Sequence, residues 1–412
     1  MKISSKDREI IRNLAMKYRD VALMDIHRDT IEDWKKLNSL KPTRPMIMID
    51  QIPWHEMNVN DELTLLCENE FLRSFEFGIR TTLYKWKYFP CDMVISPFFQ
   101  IPKVYTETGI GISTRISQND ILHSEAMTHT YEDQIKDEED LEKLHFSEIK
   151  YDAQATARRK AFMEDLIGDI LPVKLSGISI WAAVWDRIVF WRGVTPVLYD
   201  LIDRPDFIHK MMEKIISIEM NSLDQYEEQN LLDYEQGTIH CSGAYTYELP
   251  ASGFNENKIR ARDCWVAGAA QIFSEVSPAM HDEFEIQYMK PYYERFGLVY
   301  YGCCEPLHNK IDIIRKINNV RLISISPWAD VNIAAENMGR DYVMVRKSNP
   351  SYLAMNSFDA RLVADETEET LKACISNGTP CEFVLKDITT VRNEPDRLAK
   401  WYEVVKATIE NF

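Results

Sequence analysis

The stretch LVYYGCCEPLHNKI, residues 298–311, shows the pattern that organises the second half of the chain. A continuous apolar run ends in polar residues, and a segment with helical spacing follows it. The same order returns at four other places, where the apolar runs are RDCWVAGAAQIF, RLISISPW, YVMVRKSNP and CEFVLKD. Continuous apolar strands that alternate with helices are typical of a parallel sheet covered by helices.

Three earlier segments bring the number of predicted strands to eight: 46–50, 91–97 and 172–176. Helical spacing predicts helices over 5–19, 29–38, 152–169, 205–229, 278–295, 306–317, 330–338, 366–376 and 394–410. The chain has 412 residues, a length that α/β barrels with insertions often reach. The sequence therefore predicts an α/β fold, a (β/α)8 TIM barrel.

The predicted barrel covers residues 41–412, and residues 1–40 form an N-terminal helical extension. The acidic segment near 131–148 is interpreted as an insertion, a solvated linker or surface helix. The Gly- and Tyr-rich segment 237–250 is bounded by turn residues, so it could form a hairpin that lies over the site as a lid.

The charge balance excludes some partners and compartments. A net charge of −17 disfavours binding to nucleic acids and to anionic membranes.

No window of about 18 apolar residues predicts a membrane span. The charged N-terminus does not have the pattern of a signal peptide, and the eight cysteines do not have the spacing of a disulfide framework, so we expect a cytoplasmic protein.

Polar residues recur where the predicted strands end, which is the edge at which barrel enzymes build their active sites. Helix capping explains some of them, because Asp, Ser and Asn often begin helices. The candidates for substrate binding are Asp50, Trp54, Asp263, Trp328 and Lys347. Packing in the core is the alternative role for the aromatic members of this set.

The adjacent cysteines Cys303 and Cys304 allow two interpretations. Thiolates bind zinc well, and Glu305, His308, His240 and Asp387 could supply further ligands. Neighbouring side chains on a strand point to opposite faces, so both thiols reach one site only where the strand bulges or ends. Alternatively, both cysteines are small core residues.

Four segments, taken in order, resemble the uroporphyrinogen decarboxylase superfamily. They are RPMIMIDQIPWHEM, FPCDMVISPFFQIPKVY, PVKLSGISIWAAVWDRIVFWRG and DCWVAGAAQIFSEVSPAMHDEFEIQYMKPYYERFG. In this resemblance Asp92 falls on the catalytic aspartate of the family. The decarboxylase itself binds the carboxylates of its substrate with arginines in the first-strand loop, whereas the matching residues here, IDQIPWH, contain none.

The other branch of that superfamily contains zinc-dependent methyltransferases that work with corrinoid proteins. They hold zinc with a His-x-Cys motif after the fifth strand and a cysteine after the eighth. Cys304 matches the motif's cysteine, Gly302 stands at the histidine position, and Asp387 lies near the third position. The resemblance therefore implies a zinc site that Cys303, Glu305 and Asp387 would complete.

The leading hypothesis is a methyltransferase that moves a methyl group from a small methylated substrate, for example a methoxylated aromatic, to a corrinoid carried by a separate protein, with activation by zinc at the carboxyl end of the barrel. This hypothesis is compatible with a homodimer. The first alternative is a metal-free lyase, a decarboxylase, in which Asp92, Asp263 and Lys347 handle protons and a carboxylate. The second is a non-catalytic barrel that binds a ligand or a corrinoid partner.

Overall fold

The computed structural model describes residues 3–116 and 131–412. Its central element is a parallel sheet of seven strands, in the spatial order β1-β13-β12-β11-β10-β9-β6. These strands are β1 (Met46–Ile49), β6 (Ile180–Trp181), β9 (Trp265–Gly268), β10 (Leu298–Tyr301), β11 (Val320–Ile325), β12 (Val343–Lys347) and β13 (Cys381–Leu385). The first strand pairs with the last, so the sheet is curled.

Three smaller pairs of strands flank this sheet. The parallel pair is β2 (Phe99–Pro102) with β5 (Val173–Ser176). The antiparallel pairs are β3 (Tyr105–Glu107) with β4 (Ile149–Tyr151), and β7 (Thr238–Ile239) with β8 (Ser242–Gly243).

Helices cover the sheet, and most occupy the segments that the sequence predicts. The long ones are α1 (Ser5–Ala22), α2 (Ile26–Asn38), α3 (Glu70–Tyr88), α5 (Ala153–Ile167), α6 (Val184–Arg192), α7 (Val194–Asp203), α8 (Pro205–Glu228), α12 (Val331–Met338), α14 (Ala360–Asn377) and α15 (Asp396–Asn411). The short ones are α4 (Glu138–Leu141), α9 (Pro278–His281), α10 (Gln287–Tyr293), α11 (Ile311–Ile314) and α13 (Ser351–Ala354). A π-helix, Asp282–Ile286, joins α9 to α10. None of the helices in the described part of the chain has the length and apolarity to span a membrane.

The two faces of the sheet bury different sets of apolar side chains. Along β13, Phe383 and Leu385 pack outward against helices, whereas Val384 packs inward. The same alternation holds in β10, where Val299 faces out and Tyr300 faces in. Burial of both faces explains why these strands appear in the sequence as continuous apolar runs.

The hairpin β7–β8 and helix α2 fill the inner side of the curled sheet. Ile239 and Cys241 belong to the same apolar cluster as the inward-facing residues of the sheet, and so does Trp34 from α2. Gly243 lies so close to the Trp34 ring that a β-carbon would come within 2.4 Å of it. The hairpin predicted within 237–250 is therefore present and forms part of the buried core; its movement as a lid stays a prediction.

The α/β class and the parallel sheet under helices are confirmed, and several local predictions are corrected. Residues 91–97 form no strand: the Asp92 N–H donates to the Ile47 carbonyl at 2.9 Å, and the strand begins only at Phe99. The helix predicted over 306–317 is reduced to α11. In the described part of 131–148 the only helix is α4, and Asp133 there forms an ion pair with Arg192.

The close approach of the hairpin to α2 can be tested with a pair of glycine substitutions. We expect Gly243→Ala to lower the free energy of unfolding by about 1–3 kcal/mol, because the new methyl group overlaps the Trp34 ring. Gly78→Ala is the control. Its β-carbon meets nothing within 4 Å in α3, so alanine should stabilise that helix by up to about 1 kcal/mol. Urea denaturation of both variants measures the difference, and equal stabilities would contradict the buried position of the hairpin.

Candidate functional site

The carboxyl ends of β10 and β13 bring two thiols, an ammonium group and a carboxylate together. Gly302 makes the turn after β10 with a φ of 95°, a conformation that favours glycine. Cys303 follows, and its carbonyl accepts a hydrogen bond of 2.7 Å from Ser324 on β11. Lys386 and Asp387 continue from β13, and the Asp387 N–H donates to the Gln51 side chain at 3.2 Å.

Lys386 lies at the centre of this group, which we call the thiol–lysine cluster: Cys303, Cys304, Lys386 and Asp387. Its Nζ atom is 3.0 Å from Cys303 Sγ, 3.9 Å from Cys304 Sγ and 3.2 Å from Asp387 Oδ2. The two sulfurs are 3.5 Å apart, and Cys304 Sγ is 3.2 Å from Asp387 Oδ2. The Lys386 side chain is only 2% exposed, whereas that of Asp387 is 46% exposed, so water screens the carboxylate side of the cluster more than the Cys303 side.

The cluster separates the acidities of its two thiols. The pKa of Cys303 is lowered by the hydrogen bond with Cys304 and then by the Lys386 ammonium, against the opposing effect of burial. The pKa of Cys304 is raised because its thiol donates to Cys303. Burial alone would lower the pKa of Lys386, but the negative charge on Cys303 raises it. The arrangement therefore favours negative charge on Cys303, with the protons on Cys304 and Lys386.

A second polar layer lies on the inner side of the sheet. Lys347, the last residue of β12, is buried there with its Nζ 5.3 Å from the centre of the Tyr300 ring. Asp50, just after β1, lies beside the Cys241 thiol of the hairpin. Burial raises the pKa of Cys241 to about 12, so this second thiol stays protonated. The predicted residues Asp50 and Lys347 thus lie near the hairpin.

Glu305 does not join the thiols as a ligand. Its carboxylate is fully buried and accepts a hydrogen bond of 3.0 Å from the Cys303 backbone N–H. Its ionisable neighbours include His281, Asp186 and Lys310, which come from the helical layer outside the sheet. Burial raises the pKa of Glu305. The carboxylate therefore fixes the backbone of the turn that carries Cys303.

Asp92 and Asp263 lie at the opposite edge, where the strands begin. Asp92 forms two hydrogen bonds with Arg44, at 2.5 and 3.0 Å, and accepts a third from the Ile47 N–H. Asp263 ends a short 3-10 helix before β9 and accepts from the Arg260 N–H at 3.0 Å. The structure therefore does not bring either carboxylate to the thiol–lysine cluster, which corrects the expectation of one shared cleft.

The two predicted tryptophans also lie apart from the cluster. Trp54 packs edge-on against Phe77 and Tyr84 of α3, with ring centres 6.2 and 6.0 Å away. Trp328 is 68% exposed on the loop after β11. Packing explains the position of Trp54, while nothing in the described contacts explains that of Trp328.

The sequence analysis missed Lys386 and Cys241. Lys386 directly precedes the predicted Asp387, and the alternation along β13 puts positions 382, 384 and 386 on the inner face. The sequence therefore contained a signal for Lys386, namely a lysine at an inward-facing position where a strand ends. No comparable signal existed for Cys241, because only tertiary packing brings the hairpin under the sheet.

Zinc would have to share the cluster with an ammonium ion. The donor types are suitable, since two sulfurs and a carboxylate oxygen are common zinc ligands. However, Lys386 contacts all three of them and already supplies their positive charge. Within residues 3–116 and 131–412, no group of three or more His, Cys, Asp or Glu side chains has a metal-binding arrangement. The residues in this arrangement thus do not fit zinc. A measurement of the metal content of the protein tests the zinc prediction.

A cavity of about 800 Å³ lies elsewhere, beside α2. Its lining comes from α2 and from segments 94–98, 234–237 and 244–250, together with Trp265 at the start of β9. None of the residues predicted for the site lines it. We therefore place the candidate site by its charged and nucleophilic groups instead of by this cavity.

Comparison with known proteins adds no further constraint. No protein-family model matches the chain, and a search of curated proteins gives no match.

The role of Lys386 can be tested through the acidity of Cys303. In a Cys304→Ser background, Lys386→Met should raise the pKa of Cys303, because the thiolate loses its ammonium partner. Alkylation by iodoacetamide at pH 7 should then slow by about tenfold, since each pKa unit changes the thiolate fraction by that factor. Mass spectrometry of the Cys303 peptide measures the rate across pH. Lys372→Met, at an exposed lysine, is the control, and an equal pH profile in all three proteins would contradict the assignment.

Proposed function

We propose that this protein is a methyltransferase that moves a methyl group from a small methylated substrate to a corrinoid carried by a partner protein. The single observation that carries the proposal is the buried Lys386 ammonium held between two adjacent thiols and a carboxylate at the carboxyl ends of β10 and β13. The sequence resemblance supplies the reaction class, and the cluster supplies groups that suit it.

The main chemical demand of methyl transfer is stabilisation of the leaving atom. As the bond to the methyl group breaks, the leaving oxygen, sulfur or nitrogen gains electron density and needs a positive charge or a proton. Lys386 offers an ammonium N–H there, and the neutral thiol of Cys304 offers a second proton. The Cys303 thiolate keeps Lys386 protonated and in place. The corrinoid, when bound, supplies the nucleophile that accepts the methyl group.

The proposal extends to the fold and the family. The curled sheet is interpreted as part of a (β/α)8 barrel of the uroporphyrinogen decarboxylase superfamily. In its support, β1 pairs with β13, as the first and last strands of a barrel do, and the alternation of strands and helices continues through the second half of the chain. Asp92 donates its backbone N–H to the Ile47 carbonyl of β1, on the side where the second strand of such a barrel would lie.

A carboxy-lyase is the second candidate, and one observation favours it. Lys347 is a buried ammonium group that could hold the carboxylate of a substrate. Its two expected proton-handling partners, Asp92 and Asp263, lie at the opposite edge of the sheet, which weakens this alternative. The two reactions differ in product, because a lyase releases carbon dioxide and a methyltransferase alkylates the corrinoid.

The reaction can be tested with the purified full chain and reduced cobalamin as the corrinoid probe. We expect transfer from at least one member of a panel of methoxylated aromatic acids, methyl thioethers and methylamines, followed by the absorbance change of the corrinoid. Lys386→Met should lower the rate about 100-fold, because the leaving atom loses its ammonium donor. Lys372→Met should leave it unchanged. Carbon dioxide release without alkylation would favour the lyase, and turnover that survives in Lys386→Met would refute the proposed role of the cluster.

The metal content provides an independent test. We expect protein purified without a chelator or histidine tag to retain well below one zinc per chain, because the Lys386 ammonium already contacts the three donors and would repel a second cation. Lys386→Met should gain zinc affinity, since it removes the competing cation while Cys303, Cys304 and Asp387 remain. Elemental analysis of both proteins, with Cys304→Ala as a control, measures this. One zinc per wild-type chain that disappears in Cys304→Ala would show that the metal displaces the ammonium.

A further inference from the structure

Lys347 is a buried lysine, and no hydrogen bond in the described structure compensates its charge. It is 3% exposed at the end of β12, and its side chain points to the inner face of the sheet. Among the described residues, Nζ has no hydrogen-bond partner. Burial of an ammonium group without a partner is costly, so such groups usually mark a place where something else binds.

The groups around Lys347 come from three parts of the fold. Cys241 belongs to the β7–β8 hairpin, Glu382 to β13 with Lys386 directly after it, and Cys303 to the turn after β10. Lys386 is the nearby cation, and it is already engaged with Cys303. Glu382 forms no ion pair with Lys347, and its carboxylate instead accepts a 2.5 Å hydrogen bond from Ser242. None of these groups binds the Lys347 ammonium directly.

His240, from the same hairpin, is a second polar group without a partner. Its Nε2 atom is buried and unbonded within the described part of the chain. The ring stacks on Trp181 at 4.4 Å and meets Tyr300 edge-on at 5.2 Å. Lys347 lies against the same tyrosine ring, with Nζ 5.3 Å from its centre. Two unsatisfied nitrogens therefore flank one aromatic ring on the inner face of the sheet.

We propose that Lys347 and His240 bind the carboxylate of a small organic acid at this place. The inference rests on the proposed function, because it names the substrate class of the same site. The Lys347 ammonium supplies charge and the His240 ring supplies an N–H, so the two donors match the two oxygens of one carboxylate. The uncharged imidazole leaves a single positive charge on the unpaired donors, which suits a carboxylate better than a phosphate dianion.

The state of His240 agrees with this arrangement. Burial lowers the pKa of His240 to about 2, and the charges of Lys347 and Lys386 act in the same direction. Its ring is therefore neutral at physiological pH and carries one N–H. Burial also lowers the pKa of Lys347, and an anion that pairs with the ammonium group would stabilise its charged form.

Binding can be measured without turnover by calorimetry of the full chain with sodium benzoate and sodium acetate, against sodium chloride at equal ionic strength. We expect carboxylate binding by the wild type and a loss of at least about tenfold in affinity in Lys347→Met, which removes a charged donor. His240→Phe keeps the ring against Trp181 but removes the N–H, so it should weaken binding about threefold to tenfold. Lys372→Met should bind like the wild type.

Thermal unfolding of the ligand-free variants separates this proposal from a structural role. Lys347→Met should unfold at a higher temperature than the wild type, because it removes a buried charge without a partner. A lower unfolding temperature, with no carboxylate binding by the wild type, would mean that a buried water joins Lys347 to Glu382 and would overturn the proposal. Equal benzoate affinity in wild type and Lys347→Met would overturn it as well. Binding that depends on Lys347 in a protein without methyl transfer would uphold this inference while the proposed function fails.

Discussion

Burial of both faces of one parallel sheet is the constraint on which the rest of this structure depends. Helices cover the outer face, as in other α/β proteins. The inner face is covered by a two-stranded hairpin and by the indole ring of Trp34 from the second helix. Gly243 permits the closest contact between them, and the Trp34 N–H donates to the Asp92 carbonyl at 2.8 Å. The same hairpin carries Cys241 and His240 toward the strand ends.

The two edges of the sheet use their polar residues differently. Where strands begin, the carboxylates hold parts of the fold: Asp92 binds Arg44 and a backbone N–H, and one oxygen of Asp263 accepts from the backbone of a short 3-10 helix. Where strands end, nitrogen donors are left over: Lys347 and His240 have unbonded nitrogens within the described residues. A carboxylate that binds a cation or a backbone N–H stabilises the fold, whereas an unsatisfied buried donor can still bind a ligand. This difference is why we place the chemistry at the strand ends.

The positive charge of the thiol–lysine cluster is supplied by a side chain of the protein, Lys386. A thiolate, a thiol and a carboxylate converge on its ammonium group, which is itself buried while the carboxylate reaches the surface. Electrostatic interactions are strong there, so the ammonium stabilises the Cys303 thiolate and is in turn kept protonated by it. A metal ion in the same position would compete with a covalently attached and already paired cation.

The sequence by itself determined the α/β class, the parallel strands from β9 to β13 and the position of two adjacent cysteines just after a strand. Those features are local, because apolar runs, helical spacing and polar strand ends can each be recognised within a short segment of the sequence. It placed Asp92 and Asp263 with the thiols and overlooked Lys386, although the alternation in CEFVLKD turns that lysine inward. Only the tertiary structure decided which edge of the sheet each carboxylate occupies and that the hairpin lies beneath the sheet. The physical reason is that these facts depend on contacts between distant segments, such as Asp92 with Arg44 and Gly243 with Trp34, which no local pattern encodes.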